Sequence, residues 1–143
     1  MRALLDVNVL IALLDSQHTF HRSATNWLEL NLQHGWASCP ITQNGCIRIL
    51  SQSSYPNSTN ATAVAAFLKE AISGNEHEFW PDDINLAAAE IIDWRHILGS
   101  RQVTDAYLLA LAVKHNGKFV SFDQNVSLAT VMGASKRHME ILK

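Results

Sequence analysis

Residues 2–15 decide the fold, and they read Arg-Ala-Leu-Leu-Asp-Val-Asn-Val-Leu-Ile-Ala-Leu-Leu-Asp. The segment from Arg2 to Asp6 is apolar without alternation, which is typical of a parallel strand that is covered on both faces. The residues that follow, Val9–Leu14, predict a short helix for which Asn8 is the N-cap. Asp6 stands in apolar surroundings, where an ionised carboxylate is costly unless a cation, hydrogen bonds or water compensate it. We therefore predict that Asp6 is a metal ligand at the end of a buried strand.

Composition limits the classes of protein to consider. The 143 residues correspond to one domain, expected to span residues 1–143, and no run of about 18 apolar residues predicts a membrane span. Asp6 and Asn8 interrupt the apolar N-terminus and no small-residue cleavage site follows, so a cytoplasmic protein is expected. Two cysteines are too few for a disulfide framework or a zinc site. A net charge of −2 argues against a passive nucleic-acid coat but is compatible with an enzyme whose acids cluster in a cleft.

Predicted strands alternate with predicted helices along the rest of the chain. The further strands are predicted at Trp36–Cys39, Glu78–Trp80, Phe119–Phe122 and His138–Leu142. The further helices are predicted at His21–Gln33, Thr42–Leu50, Asn60–Ser73, Asn85–Ile97 and Thr104–Gly117. Asp82 and Asp83 stand where they could cap the fourth of these helices, and Thr104 where it could cap the fifth. This alternation predicts an α/β fold with a mainly parallel sheet of four to five strands and helices on both faces.

Three aspartates are predicted to share one edge of that sheet. Asp6 and Asp123 directly follow apolar strands, and Asp105 lies in the first turn of an apolar helix. Ligands of open parallel sheets bind beyond the carboxyl ends of the strands. Taken singly, Asp105 could complement the helix dipole and Asp123 could begin a turn. Together, three carboxylates would repel one another unless a cation were present, and Mg²⁺ prefers such oxygen ligands. Phosphodiester hydrolysis is the chemistry that this set would suit.

Five segments resemble the PIN-domain ribonucleases, and especially the VapC-type toxins of bacterial toxin–antitoxin pairs. They are Leu-Leu-Asp6-Val-Asn8-Val-Leu-Ile-Ala, Cys39-Pro-Ile-Thr-Gln43-Asn-Gly45, Phe79-Trp-Pro-Asp-Asp83, Arg101-Gln-Val-Thr104-Asp105-Ala-Tyr-Leu-Leu-Ala and Ser121-Phe-Asp123. The resemblance covers essentially the whole chain, in the right order and at compatible spacing. The segment around Thr104-Asp105-Ala is the most specific of the five.

The resemblance implies a three-layer α/β/α sandwich and an endoribonuclease that depends on Mg²⁺ or Mn²⁺. It also implies a homodimer, an RNA substrate and a cognate antitoxin protein that silences the enzyme. The acidic set of the family corresponds to Asp6, Asp105 and Asp123, which would hold the metal. Asn8 corresponds to a polar residue that supports the first aspartate, and Thr104 is expected to support Asp105.

Position 43 departs from the family pattern, which usually has glutamate where this chain has Gln43. We include Gln43 in the expected catalytic set, because an amide oxygen can still ligate Mg²⁺ or hold a water molecule. Glutamine supplies one negative charge fewer than glutamate, however, and cannot accept a proton as a base. An engineered inactivating change, a natural variant with weak activity and a toxin that has lost catalysis all remain open.

Two arginines and two rival functions complete the predictions. Arg48 and Arg101 lie close in sequence to Gln43 and Asp105, so we expect them to contact RNA phosphates.

An aspartyl-phosphate phosphotransferase also has an aspartate after its first strand, but Asn8 stands where its second aspartate belongs. A catalytically silent PIN domain that binds RNA or metal, or acts in an antitoxin complex, is the non-enzymatic alternative.

Overall fold

A five-stranded, all-parallel sheet forms the centre of the computed structural model, which describes all 143 residues. The strands are β1 (Ala3–Leu5), β2 (Trp36–Ser38), β3 (His77–Phe79), β4 (Lys118–Ser121) and β5 (Met139–Ile141). Their order in the sheet is β3-β2-β1-β4-β5, so the chain leaves β1 in one direction and later returns on its other side. The predicted α/β fold is confirmed, with five strands.

Helices connect the strands and cover the sheet. The α-helices are α1 (Val7–Leu14), α2 (His21–Asn31), α3 (Pro40–Leu50), α4 (Ala61–Ala71) and α5 (Gln102–Lys114). Short 3-10 helices occupy Leu32–His34, Trp94–His96, Leu128–Thr130 and Lys136–His138. None of the helices is both long enough and apolar enough to cross a membrane.

The two faces of the sheet are covered by different helices because neighbouring strand residues point to opposite sides. Leu4 and Phe119, both fully buried, pack in one cluster with the apolar residues of α5. Leu5 and Val120, also fully buried, pack in a second cluster with residues of α1, α3 and α4. Both faces of the central strands are therefore apolar, and the three-layer α/β/α arrangement is the one predicted.

Helices α1 and α3 approach each other closely at Gly45. A Cβ atom built on Gly45 would lie 2.7 Å from Cγ2 of Val7, a distance at which the two side chains would overlap. Glycine therefore permits this packing, which holds the first half of α3 against the residue that follows Asp6. As a result, Gln43 lies in the part of α3 that borders the carboxyl end of β1.

The helix predicted at Asn85–Ile97 is absent, and that prediction is wrong. The segment forms turns and the short 3-10 helix Trp94–His96, which the Asp93 side chain caps by accepting a hydrogen bond from the backbone N–H of Arg95. Ile92 forms an antiparallel bridge with Val131, so its backbone pairs with a distant segment and not with its own helical turn. Tertiary pairing thus replaces the local helical pattern, and Asp82 and Asp83 cap no helix.

Two predicted N-caps are also corrected. Helix α1 begins at Val7, and the residue that caps it is Asp6, whose Oδ1 accepts a hydrogen bond from the backbone N–H of Val7. Helix α5 begins at Gln102, two residues before Thr104, and its N-cap is Arg101. Asn8 and Thr104 are therefore both helical residues, and each is free to present its side chain elsewhere.

Candidate active site

The candidate site lies where the order of the strands reverses. β1 has β2 on one side and β4 on the other, so the carboxyl ends of β1 and β4 border the switch point of the sheet. Asp6 follows β1 directly, and Asp123 comes two residues after the end of β4. Asp105 lies in the first turn of α5. This is the edge at which open parallel sheets bind their ligands.

Asp6 is a buried carboxylate with only 7% of its surface exposed. Its Oδ2 accepts a hydrogen bond of 2.6 Å from the Ser121 hydroxyl, and its Oδ1 accepts one of 2.7 Å from the N–H of Val7. Burial raises the pKa of Asp6 above its usual range, these hydrogen bonds lower it, and the charge of Asp123 raises it further. Asp6 is thus held in one orientation but is electrostatically strained when it is ionised.

Ser121, for which the sequence predicted no role, connects the residues of this site. Besides donating to Asp6, its Oγ accepts hydrogen bonds from Asn8 Nδ2 at 3.2 Å and from the backbone N–H of Asp123 at 2.9 Å. The Asn8 Oδ1 in turn accepts a hydrogen bond of 3.2 Å from the N–H of Phe122. A small hydroxyl residue at the end of an apolar strand, two positions before an aspartate, was the only signal in the sequence.

Asp105 is electrostatically linked to the other two acids. Burial raises its pKa, the negative charge of Asp6 raises it further, and so do a hydrogen bond to Asp123 and the charge of that carboxylate, bringing the pKa of Asp105 to about 7. The charges of Asp6 and Asp123 thus both act on Asp105, although β1, α5 and β4 carry the three residues separately. At neutral pH the cluster therefore holds repelling negative charge that a cation could relieve.

The chemistry of this cluster fits a hard divalent cation, whereas the side-chain positions do not form a finished ligand set. Three carboxylates supply the oxygen donors and the charge that Mg²⁺ or Mn²⁺ prefers. However, no group of three or more His, Cys, Asp or Glu side chains is arranged so that it could hold a metal ion. Both oxygens of Asp6 already accept hydrogen bonds, so a closed ligand set would need side-chain rotation, mainly at Asp105 and Asp123.

Gln43 lies in the first half of α3, and its side chain forms no hydrogen bond with an acid of the cluster. Its Nε2 donates a hydrogen bond of 2.9 Å to the Ser38 hydroxyl. That hydroxyl lies 2.8 Å from Nε2 of His77. Ser38, which His77 contacts in turn, therefore holds the side chain at the position where the family usually has glutamate, and no pattern in the sequence predicts a role for Ser38 or His77.

The other predicted residues lie on the surface. Arg48 in α3 and Arg101 at the start of α5 are exposed and form no ion pair. Thr104 is exposed in the first turn of α5, and its hydroxyl makes no hydrogen bond within the protein. All three side chains are therefore free to contact a ligand, and none contributes to the packing of the site.

The phosphotransferase alternative needs a lysine at the site, and two lysines next to the core of the fold do not supply it. Lys118 begins β4, at the opposite end of the strand from the acids, and its Nζ lies 3.1 Å from a carboxylate oxygen of Glu140. Lys114 ends α5 and pairs with Asp83. Neither can support a phosphorylated aspartate at position 6.

A family model described as the PIN domain matches residues 3–131. This chain belongs to the PIN-domain family. Ribonuclease VapC44 of Mycobacterium tuberculosis is 47% identical to it over 142 residues, which cover 99% of this chain and all of the relative. Ribonuclease VapC39 of the same organism is 42% identical over 124 residues, covering 86% of this chain and 89% of the relative. The predicted place among the VapC-type PIN domains is thereby confirmed.

A solved structure shares the fold. It is the structure of VapBC2 from Rickettsia felis bound to a DNA fragment from their promoter. The match has a TM-score of 0.62 and covers all of both chains at 16% sequence identity. At that identity the likeness supports the PIN architecture, and the site must be argued from the residues of this chain.

Proposed function

We propose that this PIN domain is an endoribonuclease toxin that uses Mg²⁺ or Mn²⁺ to hydrolyse RNA phosphodiester bonds. The observation that carries the proposal is the position of three acids relative to the sheet: Asp6 and Asp123 follow neighbouring parallel strands, and Asp105 lies in the first turn of α5. The pKa of Asp105, which burial and the charges of Asp6 and Asp123 raise, supports it. Three acids kept close together at a ligand-binding edge cost stability, and such strain is typical of functional sites. The ribonuclease names of its relatives supply the substrate class.

Each side chain has a distinct role in this proposal. Asp6, Asp105 and Asp123 would hold the metal ion, with Ser121 fixing the orientation of Asp6 and Asn8 fixing Ser121. A bound divalent cation would supply positive charge to the scissile phosphate and make an attacking water molecule more acidic. Gln43 would add a neutral oxygen that can accept a hydrogen bond but cannot take up a proton.

Arg48 and Arg101 are proposed to contact phosphates of the RNA. Both are exposed and form no ion pair, so their charges are available to a polyanion. Each arginine that contacts a phosphate should reduce the slope of log affinity against log salt when it is replaced by alanine. RNA-binding titrations at several salt concentrations, with Arg48→Ala and Arg101→Ala, measure this slope.

RNA cleavage tests the proposed activity. Cleavage of a mixed RNA pool with Mg²⁺ or Mn²⁺ is to be measured for this chain, for Gln43→Glu, and for Gln43→Glu combined with Asp105→Asn. We expect metal-dependent cleavage that increases in Gln43→Glu, because a fourth negative charge strengthens metal binding, and that disappears in the double variant. The proposal fails if the parent chain does not cleave RNA, and the predicted role of position 43 fails if the Gln43→Glu variant neither cleaves RNA nor binds the metal more tightly than the parent chain.

Gln43 also favours a second candidate, a catalytically silent PIN domain that binds RNA or metal or acts within an antitoxin complex. The amide of Gln43 is bound to Ser38 and brings no charge to the acids. On this alternative, the parent chain would bind RNA or Mn²⁺ without cleaving, and Gln43→Glu would restore cleavage or leave the chain silent. The same cleavage series therefore separates the two candidates.

The proposal includes protein partners and a compartment. We propose that the protein works in the cytoplasm, forms a homodimer and is neutralised by a cognate antitoxin. The VapC names of the relatives and the match in fold to the VapBC2 structure support the antitoxin partner. Sedimentation of the purified protein tests the dimer. Co-expression with the product of a small neighbouring reading frame, followed by the cleavage assay, tests the antitoxin.

A further inference from the structure

A chain of hydrogen bonds runs from α3 across β2 to β3. Gln43 Nε2 lies 2.9 Å from Ser38 Oγ, and Ser38 Oγ lies 2.8 Å from His77 Nε2. Ser38 is fully buried at the end of β2, and His77 comes from the neighbouring strand β3. The His77 ring packs edge-on against Trp36 with the ring centres 4.6 Å apart, so its position is fixed by packing as well.

The donors and acceptors of these three groups favour one direction for the chain. An amide NH₂ can only donate, so the Ser38 oxygen accepts from Gln43. That oxygen has a second lone pair, but if His77 Nε2 also donated to it, the buried hydroxyl proton would have no acceptor, because Ser38 Oγ makes no other hydrogen bond. Every group is satisfied when the hydroxyl donates to His77 Nε2, and the ring is then neutral with its proton on Nδ1.

The surroundings of His77 support a neutral ring. Burial lowers the pKa of His77, and the positive charge of Arg2 lowers it further, whereas the carboxylate of Glu78 opposes both effects. Arg2 is held near β2 and β3 because its Nη1 donates to the backbone carbonyls of Trp36 and Glu76. These are the charged groups that face the ring from the neighbouring elements.

We propose that Ser38 and His77 are positioning residues that orient the amide of Gln43. By holding Nε2 on Ser38, they leave the carbonyl oxygen Oε1 without a protein donor and able to accept from water, RNA or a cation at the acid cluster. The inference rests on the proposed function of that site. The amide of Gln43 is then held in one of its two possible orientations, in which the carbonyl oxygen and not the NH₂ group is available to the site.

A glutamate at position 43 would reverse this chain. A carboxylate has no proton to donate, so Ser38 would donate to Glu and accept from a protonated His77 Nε2. The direction of the Ser38–His77 hydrogen bond thus depends on whether residue 43 is glutamine or glutamate. Gln43→Glu is expected to move the His77 proton to Nε2 and to raise the pKa of His77 through the new negative charge.

NMR of the ¹⁵N-labelled full-length protein tests the inference without requiring RNA cleavage. The variants are Ser38→Ala and Gln43→Glu, and Ser51→Ala is the matched control because its hydroxyl bonds only to backbone carbonyls at the end of α3. We expect an unprotonated Nε2 for His77 in the parent chain and a protonated one in Gln43→Glu. Ser38→Ala should increase the solvent exchange of the Gln43 NH₂ protons, and Ser51→Ala should change neither signal.

Kinetics then link this orientation to the activity. If the chain cleaves RNA, Ser38→Ala should lower kcat by about tenfold with little change in KM, because one orienting hydrogen bond of about 1.4 kcal/mol is lost. A protonated His77 Nε2 in the parent chain, or unchanged Gln43 amide exchange in Ser38→Ala, would overturn the inference. An inactive chain that gives the expected NMR result would instead overturn the proposed ribonuclease function and leave the orientation of Gln43 established.

Discussion

Replacing Asp105 by asparagine should stabilise the protein at neutral and alkaline pH. The asparagine is nearly isosteric with aspartate but has no charge to repel Asp6 and Asp123. In the native protein the pKa of Asp105 is about 7, against an ordinary value of 3.8. Because the folded state binds this proton more tightly than the unfolded state, the free energy of unfolding falls as the pH rises from about 4 to about 7.

The size of the effect follows from the two pKa values. At about 1.4 kcal/mol for each pKa unit, the difference between 3.8 and about 7 corresponds to ~4 kcal/mol. Asp105 is only partly buried, so solvent screening reduces the expected gain in stability to ~2 kcal/mol. We therefore expect Asp105→Asn to be ~2 kcal/mol more stable than the parent at pH 8 and equally stable at pH 3.5.

Urea unfolding at several pH values between 3.5 and 8, in the presence of a metal chelator, measures this difference. The matched control is Glu29→Gln, which removes one exposed carboxylate that takes part in no ion pair. The control should follow the parent curve across the whole range. The reasoning is refuted if Asp105→Asn is no more stable than the parent at pH 8, or if its stability falls with pH as steeply.

Three further substitutions test the packing and hydrogen bonding at the site and an ion-pair cluster at the far end of α5. Gly45→Ala should lower the unfolding free energy by about 1 kcal/mol, because the clash with Val7 exceeds the gain in helix propensity, and adding Val7→Ala should recover part of the loss in thermal unfolding. Ser121→Ala removes a hydrogen bond to a buried carboxylate, so it should raise the pKa of Asp6, as measured by NMR, and cost about 1.5–3 kcal/mol at pH 8 but less at pH 3.5. Asp83→Asn removes ion pairs with the end of α5 and should cost at most about 1 kcal/mol at pH 7. Because those pairs lower the pKa of Asp83, this cost should disappear in urea unfolding as the pH falls below the ordinary 3.8.

The sheet and the three acids could be predicted because each depends on local sequence. β1 and β4 are apolar on both faces, and each is followed by an aspartate. Once the strands are parallel, their carboxyl ends must lie at one edge, so Asp6 and Asp123 become neighbours without any further information. The first turn of α5 could be placed at the same edge because α5 leads directly into β4.

Other features depend on contacts that no local pattern records. Residues 85–97 have helical periodicity, but backbone pairing of Ile92 with Val131 fixes the chain in another form. Ser121 acquires its role only because β4 lies beside β1, which places its hydroxyl against Asp6. Likewise, Gln43, Ser38 and His77 form one chain of hydrogen bonds only because α3, β2 and β3 meet there.

A titration with Mn²⁺, monitored by electron paramagnetic resonance, tests most directly whether the three acids form a metal site. It should be carried out at pH 8 on the parent chain, on Asp105→Asn and on the control Glu29→Gln. We predict that the parent and Glu29→Gln bind Mn²⁺ with the same affinity, and that Asp105→Asn binds it at least about tenfold more weakly, since one ligand and one negative charge are lost. Equal binding by the parent and Asp105→Asn would contradict the assignment of the metal to Asp6, Asp105 and Asp123.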